Sequence, residues 1–215
     1  IFDTVFTVVM TMAYQQFYSG FLNANKNKQH YACHSHYFWP DCTRDAMLAY
    51  WDDSAKYVDA KWGYFFETLV PELQQRISRI LNTGAPQQIV FAPNTHELLY
   101  RIMSCIDSRT PYKVVSTDSE FHSFQRQASR MQEQGLIELV TVPTKPYATF
   151  ASRFKAAIAE HNPELVFFSQ VFFNSGYVVD DVSGIVNSVL NDNTIIVVDG
   201  YHGFMAKPTD LADIA

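Results

Sequence analysis

Four short segments combine residue types that bind flat or charged ligands. The run Thr194 to Val198 consists of β formers and leads directly into Asp199-Gly200-Tyr201-His202-Gly203. A carboxylate set against such a run is costly to bury without a partner. A protonated heterocyclic nitrogen is one partner, and a carboxylate bound to it keeps the ring cationic and electron-withdrawing. His202 can reach the same ligand, whereas turn capping is the plainer role for Asp199.

Pro93-Asn94-Thr95-His96-Glu97 precedes the helical pattern Leu98, Leu99, Ile102. Asn94 or Thr95 suits the cap of that helix, and the free N–H groups with the Thr95 hydroxyl form a phosphate cradle. A plain helix cap accounts for the same residues. In Asp118-Ser119-Glu120-Phe121-His122-Ser123 an aromatic ring and an imidazole follow an apolar run, and a flat cofactor can stack on Phe121. A core phenylalanine with Ser123 as a cap is the competing reading. Gln170 to Gly176 is polar and aromatic as a ligand-facing turn is, although turn chemistry alone explains Asn174 to Gly176.

The elements that must hold these segments are short apolar runs alternating with amphipathic ones. The runs are Gln88 to Ala92, Lys113 to Ser116, Ile137 to Val142, Leu165 to Ser169 and Thr194 to Val198, with helical patterns starting near Thr95, Ser123, Ala148 and Asp180. This alternation predicts an α/β fold, a mainly parallel sheet covered by helices on both faces. In such a sheet ligands sit beyond the carboxyl ends of the strands, where the four segments fall. Upstream, helical periodicity runs from Thr43 to Trp62 and again from Pro71, which suits a first helical turn, toward a stop at Gly84. Residues 1–65 read as a helical N-terminal arm and residues 66–215 as the α/β domain, expected to continue past the last residue.

Composition narrows the function classes. The 215 residues carry a formal charge of −6, which supplies no basic field for nucleic acid. Three cysteines do not make a disulfide framework and point to a reducing, cytoplasmic compartment. Ile1 to Leu22 is apolar, but Asp3, Gln15 and Gln16 interrupt it, so an amphipathic helix is expected rather than a membrane anchor.

Helix start, aromatic residue and strand-end aspartate, in that order, resemble the large domain of pyridoxal-phosphate enzymes of fold type I. The group is that of the class V aminotransferases, which includes kynureninases and cysteine desulfurases. The resemblance implies pyridoxal 5'-phosphate as cofactor, with its phosphate on Asn94, Thr95 and His96, its ring stacked on Phe121, and its ring nitrogen on Asp199 beside His202. Asp199 and His202 are thereby implied in catalysis. Phe121, where desulfurases usually show His, and Asp-x-x-His at Asp199 to His202 look more like kynureninase.

In the arm, Cys33-His34-Ser35-His36-Tyr37 looks like the segment by which kynureninase-like enzymes bring a serine to the substrate carboxylate, which implies substrate contacts for Ser35 and His36. His30, Cys33, His34, His36 and Cys42 are also zinc-ligand types, but they lack the paired spacing of structural sites. In this group the Schiff-base lysine follows the strand-end aspartate by about 25 residues, which places it, with the small C-terminal domain, outside this sequence. Lys207 comes too soon, and Lys145 and Lys155 precede the aspartate. The resemblance further implies an amino-acid substrate and a homodimer, with hydrolytic carbon–carbon cleavage favoured over transamination and desulfuration. The competing expectations are a non-catalytic fragment that only binds or dimerises, and a zinc-stabilised arm on an unrelated binding domain.

Overall fold

The structure, a computed structural model, describes residues 14–31, 36–107 and 109–212. The chain divides into two compact units, Ile1–Leu69 and Val70–Ala215.

In the first unit a 3-10 turn, Tyr14–Tyr18, leads into α1 (Ser19–Ala24), followed by α2 (Asp41–Tyr57), a 3-10 turn, α3 (Lys61–Tyr64) and a π-helical turn over Phe65–Leu69. The first part of the helix expected from Ile1 lies outside the described residues. The helix expected over Thr43 to Trp62 breaks at Val58, whose φ of 50° is left-handed and ends α2. A β-branched residue is strained there. Asp41, the first residue of α2, caps α1 from a distance in sequence. Its carboxylate accepts from Ser19 N at 2.8 Å, Ser19 Oγ at 2.6 Å and Gly20 N at 2.9 Å. The Ser19 hydroxyl, then the Gly20 amide, hold its pKa below the ordinary value. Rings pack on one another within this unit, Tyr50 edge-on to Phe65 and Trp62 stacked with Phe66.

The second unit opens with α4 (Val70–Leu81), in which Pro71 occupies the first turn. Asn82 and Gly84, at φ 54° and 66°, turn the chain away. Gln88 to Ala92 is not a strand. Gln88 closes a 3-10 turn, Gln74 Nε2 donates to the Ile89 carbonyl at 2.7 Å, and Val90 and Phe91 are exposed. Among the described residues the apolar run has no partner strand, and Pro93 offers no donor for one.

Then come α5 (Thr95–Ser104), β1 (Tyr112–Thr117), α6 (His122–Glu133), β2 (Ile137–Val142), α7 (Phe150–His161), β3 (Leu165–Ser169), α8 (Val182–Val186) and β4 (Ile195–Asp199). All strand pairs are parallel, in the order β2-β1-β3-β4. Alternate residues feed two cores, as the period of a strand requires. Val114, Leu165 and Phe167 pack with Leu99 and Met103 of α5 and with Phe124 and Ala128 of α6; the Phe124 and Phe167 rings stack 4.0 Å apart. Val115, Val166 and Phe168 pack with Phe150, Phe154 and Ile158 of α7 and with Ile185 of α8. Every residue of β3 is buried, which explains its uninterrupted apolar run. Phe168 is fully buried between β3 and α7. Phe168→Ala is expected to lower the unfolding free energy by about 3–5 kcal/mol, read from urea denaturation.

Candidate functional site

The chain leaves β1 for β2 on one side and comes back to β3 on the other, so the order of the sheet reverses between β1 and β3. The carboxyl ends of the strands flanking such a point diverge into a crevice. Three segments meet at these ends: 118–122 after β1, 170–173 after β3 and 200–203 after β4.

Glu120 joins the first two. It is 2% exposed, and its Oε1 accepts from Thr117 Oγ1 at 2.5 Å and from Ser169 N at 3.2 Å, while Oε2 accepts from Ser169 Oγ at 2.5 Å. Asp118 ties the same loop toward β2. Its Oδ1 accepts from Thr144 N at 2.9 Å, and the Ser119 and Thr144 hydroxyls lie 2.9 Å apart. Burial raises the Glu120 carboxyl from its ordinary 4.5 to about 7, against the lowering effect of the Ser169 and Thr117 bonds and with a further rise from Asp199.

Asp199 is the last residue of β4, in register with Ser169 of β3. Its backbone carbonyl accepts from Gln170 N at 2.9 Å, and its Oδ1 accepts from Tyr201 N at 2.9 Å, an Asx turn that aims the chain into Gly200–Gly203. That turn closes against the loop after β3, because a Cβ at Gly203 would run into the end of the Gln170 side chain.

An aromatic cluster connects the three segments. Phe173 meets Phe121 edge-to-face with centroids 5.0 Å apart, meets His122 at 5.3 Å, and lies nearly parallel to His202 at 5.9 Å. Phe121 remains 42% exposed at the entrance of α6, so its ring offers area to a ligand. Phe121, Asp199 and His202 thus belong to one network of strand-end contacts.

Asn94, Thr95 and His96 form the start of α5, on the sheet face that α5 shares with α6. Asn94 Oδ1 accepts from Glu97 N at 2.9 Å, so its side chain is committed to the cap. The amides of Thr95 and His96 precede the first intrahelical bond and, with the Thr95 hydroxyl, suit an anion. His36 is exposed in the first unit, where its carbonyl lies 2.7 Å from His30 Nε2; Ser35 lies outside the described residues. Lys155 pairs with Asp181 at 2.6 Å and Lys207 with Asp180 at 3.3 Å.

Glu120, Ser169 and Phe173 were not among the residues singled out from the sequence. A glutamate directly before Phe121 was a visible signal for the first. Phe173 lies in the polar and aromatic turn Gln170 to Gly176, while nothing local marks Ser169, whose role depends on which strands become neighbours.

The raised Glu120 pKa has a consequence for stability. Its folded value exceeds its unfolded one, so the stabilisation is complete below about pH 4.5 and is lost as pH rises toward 7. The loss is on the order of 3 kcal/mol. Glu120→Gln is expected to flatten that part of the stability–pH curve, as measured by urea unfolding between pH 4.5 and 8.

Residues 39–215 match the family model described as aminotransferase class-V. Two similar solved structures are of C-DES. One, a mutant with glycine covalently linked to its pyridoxal-phosphate cofactor, superposes with a TM-score of 0.76 at 16% identity, over 94% of this chain and 52% of that one. The other is the cystine C–S lyase C-DES with its product cysteine persulfide, at a TM-score of 0.66 and 18% identity, over 81% and 47%. The chain therefore spans about half the length of these structures. No curated protein matches the sequence. The sheet and its two helical layers are the large-domain fold of fold type I pyridoxal-phosphate enzymes, and the chain belongs to the aminotransferase class-V family.

Proposed function

We propose that the strand-end network binds pyridoxal 5'-phosphate and serves an enzyme acting on an amino acid. The observation that carries this reading is the half-buried Asp199 at the end of β4, whose turn brings His202 onto the partly exposed ring cluster of Phe173 and Phe121. The donor set fits the cofactor: amides at a helix start for a phosphate, a ring face for a ring, and a carboxylate for a protonated nitrogen. When bound, the cofactor supplies an electron-withdrawing ring that stabilises negative charge next to the substrate nitrogen. Asp199 keeps the proton on the ring nitrogen, Phe121 backed by Phe173 holds the ring plane, and the start of α5 with Thr95 anchors the phosphate. His202 offers a hydrogen bond from the β4 turn, and Ser35 and His36 are assigned to the substrate.

Hydrolytic carbon–carbon cleavage of the kynureninase type is the first reading of the reaction, supported by Phe121 and by His202 three residues after Asp199. Carbon–sulfur cleavage is the second, supported by the likeness to the cystine C–S lyase. A homodimer is proposed with either, supported by the exposed aromatics of the first unit, among them Trp51 and Phe66. Among the described residues no helix is long and apolar enough to cross a membrane.

Borohydride reduction of the full-length protein with pyridoxal phosphate is expected to fix a pyridoxyl group on a lysine about 25 residues after Asp199, located by peptide mass mapping. A folded full-length protein with no modified lysine refutes the enzyme reading. Kynurenine and cystine assayed side by side separate the two reactions. Asp199→Asn is expected to lower turnover of the accepted substrate by about 100-fold or more, measured under saturating cofactor.

A further inference from the structure

We infer that Glu120 is a positioning residue for Asp199: its buried carboxyl is a clamp that holds Ser169, the ladder partner of Asp199, against the end of β1. This inference rests on the proposed role of Asp199.

The contacts run in one line across the sheet. Thr117 ends β1, Ser169 ends β3 and Asp199 ends β4, and Glu120 bonds to the first two while the β3–β4 ladder carries the third. Both carboxyl oxygens of Glu120 are occupied by these bonds, so the side chain has no oxygen turned to a ligand. The described ion pairs do not include Glu120, and the charged group acting on it is the carboxylate of Asp199. An ionised Glu120 would be a buried charge without a counterion next to a second negative charge, the arrangement that buried carboxyls avoid by taking up a proton. Of the two neighbouring carboxyls Glu120 is the more buried, and burial favours its protonated form. In the neutral form the same short contact runs from Oε2–H to Ser169 Oγ, and Oε1 still accepts from Thr117 and from the Ser169 amide. The clamp thus sets the height of Ser169, and with it the register in which Asp199 leaves the sheet.

The test measures the affinity of the full-length protein for pyridoxal phosphate, read from the absorption of the bound cofactor, together with thermal midpoints. Glu120→Ala is expected to weaken binding about tenfold or more, and Glu120→Gln, which is uncharged and keeps an acceptor for Thr117 and Ser169, to restore it to within about threefold of the parent. Adding Glu120→Ala to Asp199→Asn is expected to cost nothing further, since the clamp acts through Asp199. Full additivity of the two losses, or a Glu120→Gln protein as weak as Glu120→Ala, overturns the inference. If Asp199→Asn weakens binding and Glu120→Ala does not, the inference fails and the role of Asp199 stands. If Asp199→Asn binds as the parent does, that role falls and the inference with it. Should Glu120→Ala not fold, Ser169→Ala replaces it under the same expectations, since it removes the hydroxyl that Glu120 holds.

Discussion

The bonds between Glu120 and the ends of β1 and β3 are the constraint on which the strand-end region depends. A parallel sheet has its ladder bonds within the strands, and past their last residues nothing in the ladder holds the chains at a fixed spacing. At the switch point the loops after β1 and β3 leave in different directions. A side chain buried between them, bonded to a hydroxyl on one strand and to an amide and a hydroxyl on the other, supplies the missing tie. The Asp118 side chain does the same toward β2 through the Thr144 amide, and the Gln170 backbone N–H continues the ladder to the Asp199 carbonyl of β4. All four strand ends are thereby connected by polar bonds.

The Glu120 bonds are buried, and burial strengthens them while making any gap expensive. The two apolar cores below make that burial possible. Phe167 and Phe168 are consecutive residues on opposite faces of β3, each covered by a helix, and they carry the strand straight to Ser169. The rigidity of the site is thus built from below by packing and completed at its rim by hydrogen bonds. The aromatic cluster of Phe121, Phe173 and His202 sits on that rim as a third layer, partly open to solvent.

Much of this was legible in the residues. Ile137 to Val142 and Leu165 to Ser169 form strands at the expected positions, because β-branched and aromatic runs bounded by turn residues leave little choice. Asp199 stood out because a carboxylate directly after apolar β formers needs a reason. Gln88 to Ala92 misled, since an apolar run is a strand only if another strand lies beside it, and here a glutamine side chain takes the carbonyl instead. Glu120 is visible directly before Phe121, but its bonding partners are not. Its role depends on Ser169, a residue 49 positions away that only the order of the strands brings near.

The closing stretch of the second unit returns to its beginning. Leu211 N donates to the Leu81 carbonyl, and Asn82 bonds to Asp210 across 128 positions. β1 and β2, in contrast, are joined through a single helix, α6. Closing a longer loop costs more entropy before any contact repays it, so the tie between the two ends of this unit is costlier to form than the pairing of β1 with β2. During synthesis the end of α4 emerges well before Asp210 and Leu211, the residues that bond to it, and must persist without them until they arrive.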